Sequence, residues 1–157
     1  MSADISGFEG AAESFEDLAD ALDEAADNVD DAVDRGVGRT ARAIGDTAQD
    51  NASVDTGDLR DSKRVRRLAT RRWEVAFTAR SEEGYPYPRA VEYGRGPVVA
   101  QDADMLRFET DGQVFYRKSV GPAPAQPFLR PSLQRHRSTL VENIATELRR
   151  TVAAAFA

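Results

Sequence analysis

The sequence predicts an α+β protein with a long N-terminal amphipathic helical region, a small antiparallel β-sheet with an extended hairpin, and a C-terminal helix packed on the sheet. Apolar residues recur at helical spacing through residues 1–50 and again through residues 131–156. Between them, residues 58–120 hold short alternating runs separated by glycine- and proline-rich turns. A chain of 157 residues fits one domain, so we expect a single connected unit over residues 1–157.

The N-terminal region carries apolar residues at steps of mostly three, four or seven, and its polar face is mostly aspartate and glutamate. Gly36, Gly38 and Gly45 each cost about 1 kcal/mol relative to alanine in a helix. We therefore expect two consecutive helices that divide somewhere between Asp27 and Gly38. The apolar positions are Phe8, Phe15, Leu18, Leu22, Val29, Val33, Val37, Ala41, Ile44 and Ala48.

Strand patterns follow the helical region. In "RRWEVAFTA", Trp73, Val75 and Phe77 alternate with other side chains, and "SKRVRRLA" before it is the expected partner strand. The segment "RAVEY" fits one helical turn. The segment "MLRFETDGQVFYRKSV" predicts a hairpin, because Asp111-Gly112 is a pair that tight primed turns prefer.

Residues 121–131, "GPAPAQPFLRP", contain four prolines. Each proline fixes its own φ and favours extended geometry in the residue before it, so the segment predicts a rigid strap. We expect the strap to place Phe128 and Leu129 in the core and to leave Arg130 exposed for a carboxylate. Pro131 suits the first turn of the C-terminal helix.

The charge is unevenly distributed. The net charge of −6 arises from 21 basic and 27 acidic residues: residues 1–58 hold 16 acidic and 3 basic residues, whereas residues 59–157 hold 11 acidic and 18 basic ones. Aspartate and arginine are abundant and lysine is scarce, which is typical of a salt-loving organism with a GC-rich genome; genomic base composition alone is the alternative explanation.

Catalytic and metal-binding patterns are weak. Without cysteine there is no thiolate nucleophile or ligand, and His136 is accompanied by no serine-centred motif. "VDTG" at residues 54–57 matches an aspartic-protease triplet but follows a helix instead of ending an apolar hairpin. Asp102, Asp104 and Glu109 lack the spacing of a calcium loop. We expect a non-enzymatic protein without a cofactor or a metal, and no secretory signal or membrane span.

The run "RDSKRVRRLATRR" suggests an alternative function. Arginine-rich strands can lie along phosphates, so this segment could make the chain a nucleic-acid-binding module. The other interpretation is that these side chains pair with the acidic helix of the same or a neighbouring subunit. The residues concerned are Lys63, Arg64, Arg66, Arg67, Arg71 and Arg72.

Three segments occur in a recognisable order: "VDTGDLRDS", "YPYPRAVEYGRGP" and "PAQPFLRPSLQRH". Their order and content resemble the tail-completion proteins, also called head–tail connector or neck proteins, of long-tailed double-stranded DNA viruses. The resemblance covers roughly Val29 to Leu148. Arg95 departs from the family pattern, which has threonine there.

The resemblance implies a structural virion protein that forms a ring, generally a hexamer, between the head-closure or adaptor protein and the tail-tube protein. Packaged DNA would pass through the ring without sequence-specific binding. The location would be the virion neck, with the host cytoplasm during assembly, and the composition points to a haloarchaeal tailed virus. The family motif positions are Asp55, Thr56, Gly57, Leu59, Arg60, Tyr87, Glu92, Gly94, Pro127, Phe128, Leu129, Arg130 and Pro131.

Overall fold

The computed structural model describes residues 6–53, 57–82, 84–101, 104–110 and 112–156, with residues 6–14 and 110 described as backbone. The predicted α+β class is confirmed. The helices are α1 (Ser6–Asp27), α2 (Val29–Asn51), α3 (Asp58–Asp61), α4 (Pro88–Tyr93), α5 (Leu129–Arg135) and α6 (Arg137–Ala155). The strands are β1 (Lys63–Ala69), β2 (Arg72–Phe77), β3 (Val98–Val99), β4 (Leu106–Thr110), β5 (Gln113–Arg117) and β6 (Ser119–Val120).

These elements form two compact units. Unit 1 comprises Met1–Ile44, Val65–Val75 and Arg135–Ala157, and unit 2 comprises Gly45–Arg64 and Ala76–Gln134. Each is described by itself below. The single domain over residues 1–157, divided into 1–50, 58–120, 121–131 and 131–156, stays a prediction.

The N-terminal region does contain two helices, and they divide at Asn28, inside the predicted range. The side-chain amide of Asn28 donates to the Glu24 carbonyl at 2.8 Å, which satisfies one of the last carbonyls of α1. Glycine was the wrong physical reason for the break, because Gly36, Gly38 and Gly45 all lie inside α2. The first two lie where other elements approach α2 closely.

Unit 1 is built around α2, which approaches other elements closely at its glycines. A Cβ on Gly36 would lie 2.7 Å from the Cα of Ile144 in α6, and one on Gly38 would lie 2.6 Å from the Trp73 ring of β2. The Asn143 amide of α6 donates to the Thr40 hydroxyl at 3.0 Å. Helix α1 packs against α6. Helix α2 therefore contacts α6 on one side and the β1–β2 hairpin on another.

The strands pair in twos. Within the described residues, the sheet expected from the sequence is divided into three ladders, β1–β2, β3–β6 and β4–β5. The predicted hairpin around Asp111-Gly112 is confirmed as β4–β5, with Phe108 opposite Phe115 and Leu106 opposite Arg117. Gly112 has φ of 72°, the left-handed conformation that a tight turn requires. Strands β3 and β6 flank this hairpin in the sequence and pair with each other.

The C-terminal region differs from the single helix expected over residues 131–156. Helix α5 begins at Leu129, and His136 separates it from α6. Pro131 is the third residue of α5, where its missing N–H costs nothing because the first helical N–H groups have no intrahelical acceptor. Among the described residues, no helix combines the length and apolar character needed to cross a bilayer.

Candidate assembly site

The three family segments meet in unit 2, around one small core. Leu59 of α3 and Phe128 are buried, together with Ala48 of α2, Ala52 just after that helix, and Ala79. Phe128 is 2% exposed, and its ring meets the edge of Phe77 at a centroid distance of 4.9 Å. The partly buried residues packed against this core are Phe77, Tyr87, Val91 and Leu129. Segments that are about 30 residues apart in the sequence therefore share one packed cluster.

Glu92 of α4 is buried beside this core, and it binds the start of α5. Its Oε2 accepts the backbone N–H groups of Phe128 and Leu129 at 2.9 Å each, and its Oε1 accepts the N–H of Arg130 at 3.0 Å. The Arg130 Nε also donates to Oε1 at 3.0 Å. One carboxylate thus satisfies three N–H groups at a helix start, where no intrahelical acceptor exists.

These bonds set the ionisation of Glu92. Burial by itself raises the pKa of this carboxyl, but the hydrogen bonds from the Leu129, Phe128 and Arg130 backbone, with the Arg130 side chain, outweigh it. The pKa of Glu92 therefore lies below its ordinary value. The ionised form is the one that holds the α5 terminus.

Arg130 was expected to remain exposed for a carboxylate. It is half-exposed, and the carboxylate it binds is Glu92 of the same chain. Its guanidinium also stacks over the Tyr93 ring at 4.7 Å from the centroid. Arg130 is therefore part of the internal structure of unit 2.

Backbone hydrogen bonds hold the proline-rich strap at Ala123 and Gln126. Phe128 lies in the core, as predicted. The Gln126 N–H donates to the Val91 carbonyl at 2.8 Å, and Arg95 and Ala123 exchange backbone hydrogen bonds at 3.0 Å. Gly94 has φ of 75°, and a Cβ there would lie 2.8 Å from the Ala123 carbonyl oxygen. A glycine is needed at this motif position both for its conformation and for the close approach of the strap.

The first family segment holds the end of α2. The Arg60 Nε donates to the Gln49 carbonyl at 3.2 Å, and the Gln49 side-chain amide donates to the Arg60 carbonyl at 2.9 Å. Gly57, at φ of 89°, precedes α3. Asp55 and Thr56, and with them the "VDTG" triplet, lie outside the described residues.

Most motif residues therefore build unit 2 from the inside. Tyr87 and Leu129 pack on its core, and Pro127 and Pro131 lie on the exposed side of the strap. Residues that sequence reasoning missed include Ser132, whose buried hydroxyl donates to the Phe128 carbonyl at 2.6 Å and accepts from the Asn51 amide at 3.0 Å. A serine three residues after a "PFL" run carries no signal by itself.

The basic strand residues are largely paired within the chain. Lys63 binds Asp46 at 2.7 Å and Arg66 binds Glu74 at 2.6 Å. For Arg64 and Arg72, the described part of the chain shows no ion pair. Arg67 and Arg71 contact acidic residues of α2.

Asp34 of α2 binds three residues at or near the turn of the β1–β2 hairpin. It binds the Arg67 Nε at 2.8 Å, and it accepts the Arg71 N–H at 2.7 Å and the Trp73 indole N–H at 3.2 Å. Arg71 also pairs with Asp30 at 3.4 Å. Burial raises the pKa of Asp34, but the hydrogen bonds from Arg71, Trp73 and Arg67 bring this pKa below its ordinary value.

A third buried carboxylate, Glu147 of α6, binds two arginines of α2. Arg35 binds it at 3.3 Å, and Arg39 forms a direct ion pair with its other oxygen. Both partners are half-exposed, whereas Glu147 is buried. These two ion pairs attach α6 to α2 in unit 1.

The candidate metal-binding and catalytic residues of the sequence lie apart or outside the described residues. No cluster of three or more histidine, aspartate or glutamate side chains within the described residues suits a metal ion. Asp104 and Glu109 lie on the loop and strand of the β4–β5 region, and Asp102 lies outside the described residues. His136 lies between α5 and α6.

The site consists of three sequence segments that are packed and hydrogen-bonded together within unit 2. The chain belongs to the HK97-gp10-like family, whose model matches residues 16–94 and is described as "Bacteriophage HK97-gp10, putative tail-component". The matched range holds the first family segment and the second one as far as Gly94, including Leu59 and Glu92. No curated protein and no solved structure matches the chain. Membership of this family indicates that the protein is a structural component of a phage tail and is located in the virion.

Proposed function

We propose that the chain is a tail-completion subunit of the virion neck, which forms a ring between the head-closure layer and the tail tube around the DNA channel. Its activity is assembly, without catalysis. Family membership and the three converging segments support this function. A ring repeats each interface around its axis, so a subunit needs a rigid frame, and the Glu92–α5 attachment supplies one.

The observation that carries the proposal is the exposed β4–β5 hairpin. Phe108 and Phe115 stack on one face, with ring centroids 5.7 Å apart. The register places Val114 and Tyr116 on the other face, and Tyr116 is 61% exposed. A two-stranded hairpin is marginal alone in water, and here exposed apolar side chains lie on both faces, on one of them beside the exposed Arg107–Glu109 pair. We infer that a neighbouring subunit or the tail-tube protein covers it.

Ring number and partners follow from the family resemblance. We propose a hexamer that contacts a head-closure or adaptor protein on one side and a tail-tube protein on the other. Packaged DNA passes through without sequence-specific contacts. The acidic, lysine-poor composition supports a haloarchaeal tailed virus as the source, with assembly in the host cytoplasm.

A nucleic-acid-binding module remains the alternative. The pairs of Lys63 and Arg66 with carboxylates of the same chain weigh against it, because paired cations release fewer counterions from DNA. Duplex DNA binding with a steep salt dependence, lost in an Arg64→Ala/Arg72→Ala variant, is the result that favours the alternative.

Electron microscopy and native mass spectrometry of the purified chain, alone and with the tail-tube protein, test the proposal. We expect a closed ring for the wild type. A Val114→Ser/Tyr116→Ser variant should keep the wild-type Tm and fail to join the ring or the tube. Val141→Ser, an exposed apolar position on α6, is the matched control. A hairpin variant that joins with unchanged affinity contradicts the role of the hairpin.

A further inference from the structure

Helix α1 presents an uncovered apolar stripe. Phe15, Leu18 and Leu22 are spaced by three and four residues, so they share one face of the helix. Phe15 is 71% exposed, and Leu18 and Leu22 are about half-exposed. At 22 residues α1 is about 33 Å long, enough for a substantial contact surface. A stripe of this kind on a surface helix marks an interaction site.

The charge of α1 restricts what can cover the stripe. The sequence of α1 contains eight acidic residues and no basic residue. Two such helices side by side would repel each other, since like charges across an interface are unfavourable. The occupant must therefore be apolar at its centre and basic at its rim.

The outer face of the β1–β2 hairpin has this composition. Arg67 and Trp73 contact Asp34 of α2, so the alternation of strand side chains places Arg66, Leu68 and Arg72 on the opposite face. Leu68 is 44% exposed. Arg72 has no ion pair among the described residues, and Arg66 pairs with Glu74, which lies on the same outer face. The face is therefore basic with an exposed leucine.

Helix α6, which packs against α1, and the β1–β2 hairpin contact different sides of α2. On α2, the residues that contact α6 are Arg35, Gly36, Arg39 and Thr40, and those that contact the hairpin are Asp30, Asp34, Gly38 and Arg42. At about 100° per residue, the two groups point roughly opposite ways. Helix α1 packs against α6, the element on the side of α2 opposite the hairpin.

From this arrangement we propose that α1 of one subunit docks on the outer face of the β1–β2 hairpin of the next copy. The contact would cover the apolar stripe with Leu68 and place Arg66 and Arg72 near the α1 carboxylates. It is a head-to-tail contact between two different surfaces, the kind that closes into a ring when the rotation allows. This inference rests on the proposed self-assembly into a ring, and it names which surfaces meet.

The chain contains no cysteine, so engineered cysteines report contacts cleanly. One preparation carries Leu18→Cys and another carries Leu68→Cys; both side chains are exposed, so both variants should fold as the wild type does. The two are mixed, allowed to exchange and treated with a short bismaleimide. We expect a covalent dimer in the mixture and at most traces in each preparation alone. Leu18→Cys mixed with Arg89→Cys, an exposed position on α4, is the control.

Light scattering on the same samples separates the outcomes. Oligomers without the mixed dimer overturn this contact and leave the ring intact. Self-linking of Leu18→Cys without the mixed dimer overturns it in favour of pairing between α1 helices. A protein that stays monomeric at every concentration and with the tail-tube protein contradicts the ring, and this contact with it.

Charge reversal gives an independent test. Arg72→Glu should weaken assembly by about tenfold or more at moderate ionic strength, because close charge pairs across an interface are strongly coupled. Arg89→Glu should leave assembly unchanged. Equal assembly of Arg72→Glu and the wild type, at unchanged Tm, overturns the basic face as the docking surface.

Discussion

The carboxylate of Glu92 accepts the backbone N–H of Phe128 at 2.9 Å, across 36 positions of sequence. Phe128 is the largest fully buried side chain described, so the hydrogen bond fixes the backbone of the residue at the centre of the unit 2 core. The two remaining N–H bonds to Glu92 continue into the first turn of α5. The residue that fills the unit 2 core is therefore also the residue whose backbone N–H is bound by the buried carboxylate.

Replacing Glu92 with glutamine should destabilise the protein by about 2–3 kcal/mol, because an amide offers only one acceptor oxygen to these buried N–H groups. For a chain of this length the Tm should fall by about 5–10 °C. Glu109→Gln is the matched control, since Glu109 forms only an exposed pair with Arg107. Equal melting temperatures for Glu92→Gln and the wild type would show that α5 does not depend on this carboxylate.

Stability should fall in acid, and Glu92 and Asp34 should contribute to the fall. Their pKa values are lowered in the folded state, so the unfolded chain takes up protons first as the pH falls. Their contribution is complete above the unfolded values of about 4.3 and 3.9 and is lost as the pH falls through the lower folded values. Urea unfolding between about pH 7 and 3 measures this.

The Glu92→Gln variant supplies the control for that series. Its free energy of unfolding should depend less steeply on pH below about pH 4.5, because one linked group is absent. A pH dependence identical to that of the wild type contradicts the lowered pKa of Glu92.

Phe128→Ala should cost about 3–5 kcal/mol, as for other buried aromatic residues, because the side chain fills the core and packs edge-on against Phe77. Phe156→Ala, at an exposed position after α6, should cost far less. Thermal and urea unfolding of both variants test this. Similar losses for the two variants would mean that the unit 2 core does not depend on Phe128.

Gly36→Ala should be destabilising by about 1–3 kcal/mol, although alanine is the better helix former by about 1 kcal/mol. The added Cβ would meet the backbone of Ile144, with the Cα at 2.7 Å and the N at 2.8 Å, and a helix backbone cannot move aside cheaply. Gly96→Ala, where nothing lies within 4 Å, is the control. A more stable Gly36→Ala variant would show that α2 and α6 are not packed this closely.

Local sequence patterns predicted much of the fold. The β4–β5 hairpin follows from two alternating runs around Asp111-Gly112, and β1–β2 follows from the alternation of Trp73, Val75 and Phe77 with other side chains. The two N-terminal helices follow from apolar spacing. These features depend on residues within a few positions of one another, so the sequence displays them directly.

Long-range contacts could not be predicted in the same way. The role of Glu92 depends on a helix start 36 to 38 residues further along, and no local pattern links a glutamate in "RAVEY" to the N–H groups of "FLR". The pairing of Arg130 with Glu92 was missed for the same reason. The proline-rich strap predicted that Arg130 is exposed, but it did not indicate which carboxylate binds it.

By itself the sequence determined the two N-terminal helices, the β1–β2 and β4–β5 hairpins, a helical C-terminal region, the absence of cysteine and a family-like order of three segments. Only the tertiary structure decided why α2 tolerates its glycines. Propensity favours a break at Gly36 or Gly38, but Ile144 and the Trp73 ring approach too closely for any side chain at those positions. Close packing between elements distant in sequence outweighs a propensity cost of about 1 kcal/mol per glycine, and that balance is visible only once the elements are assembled.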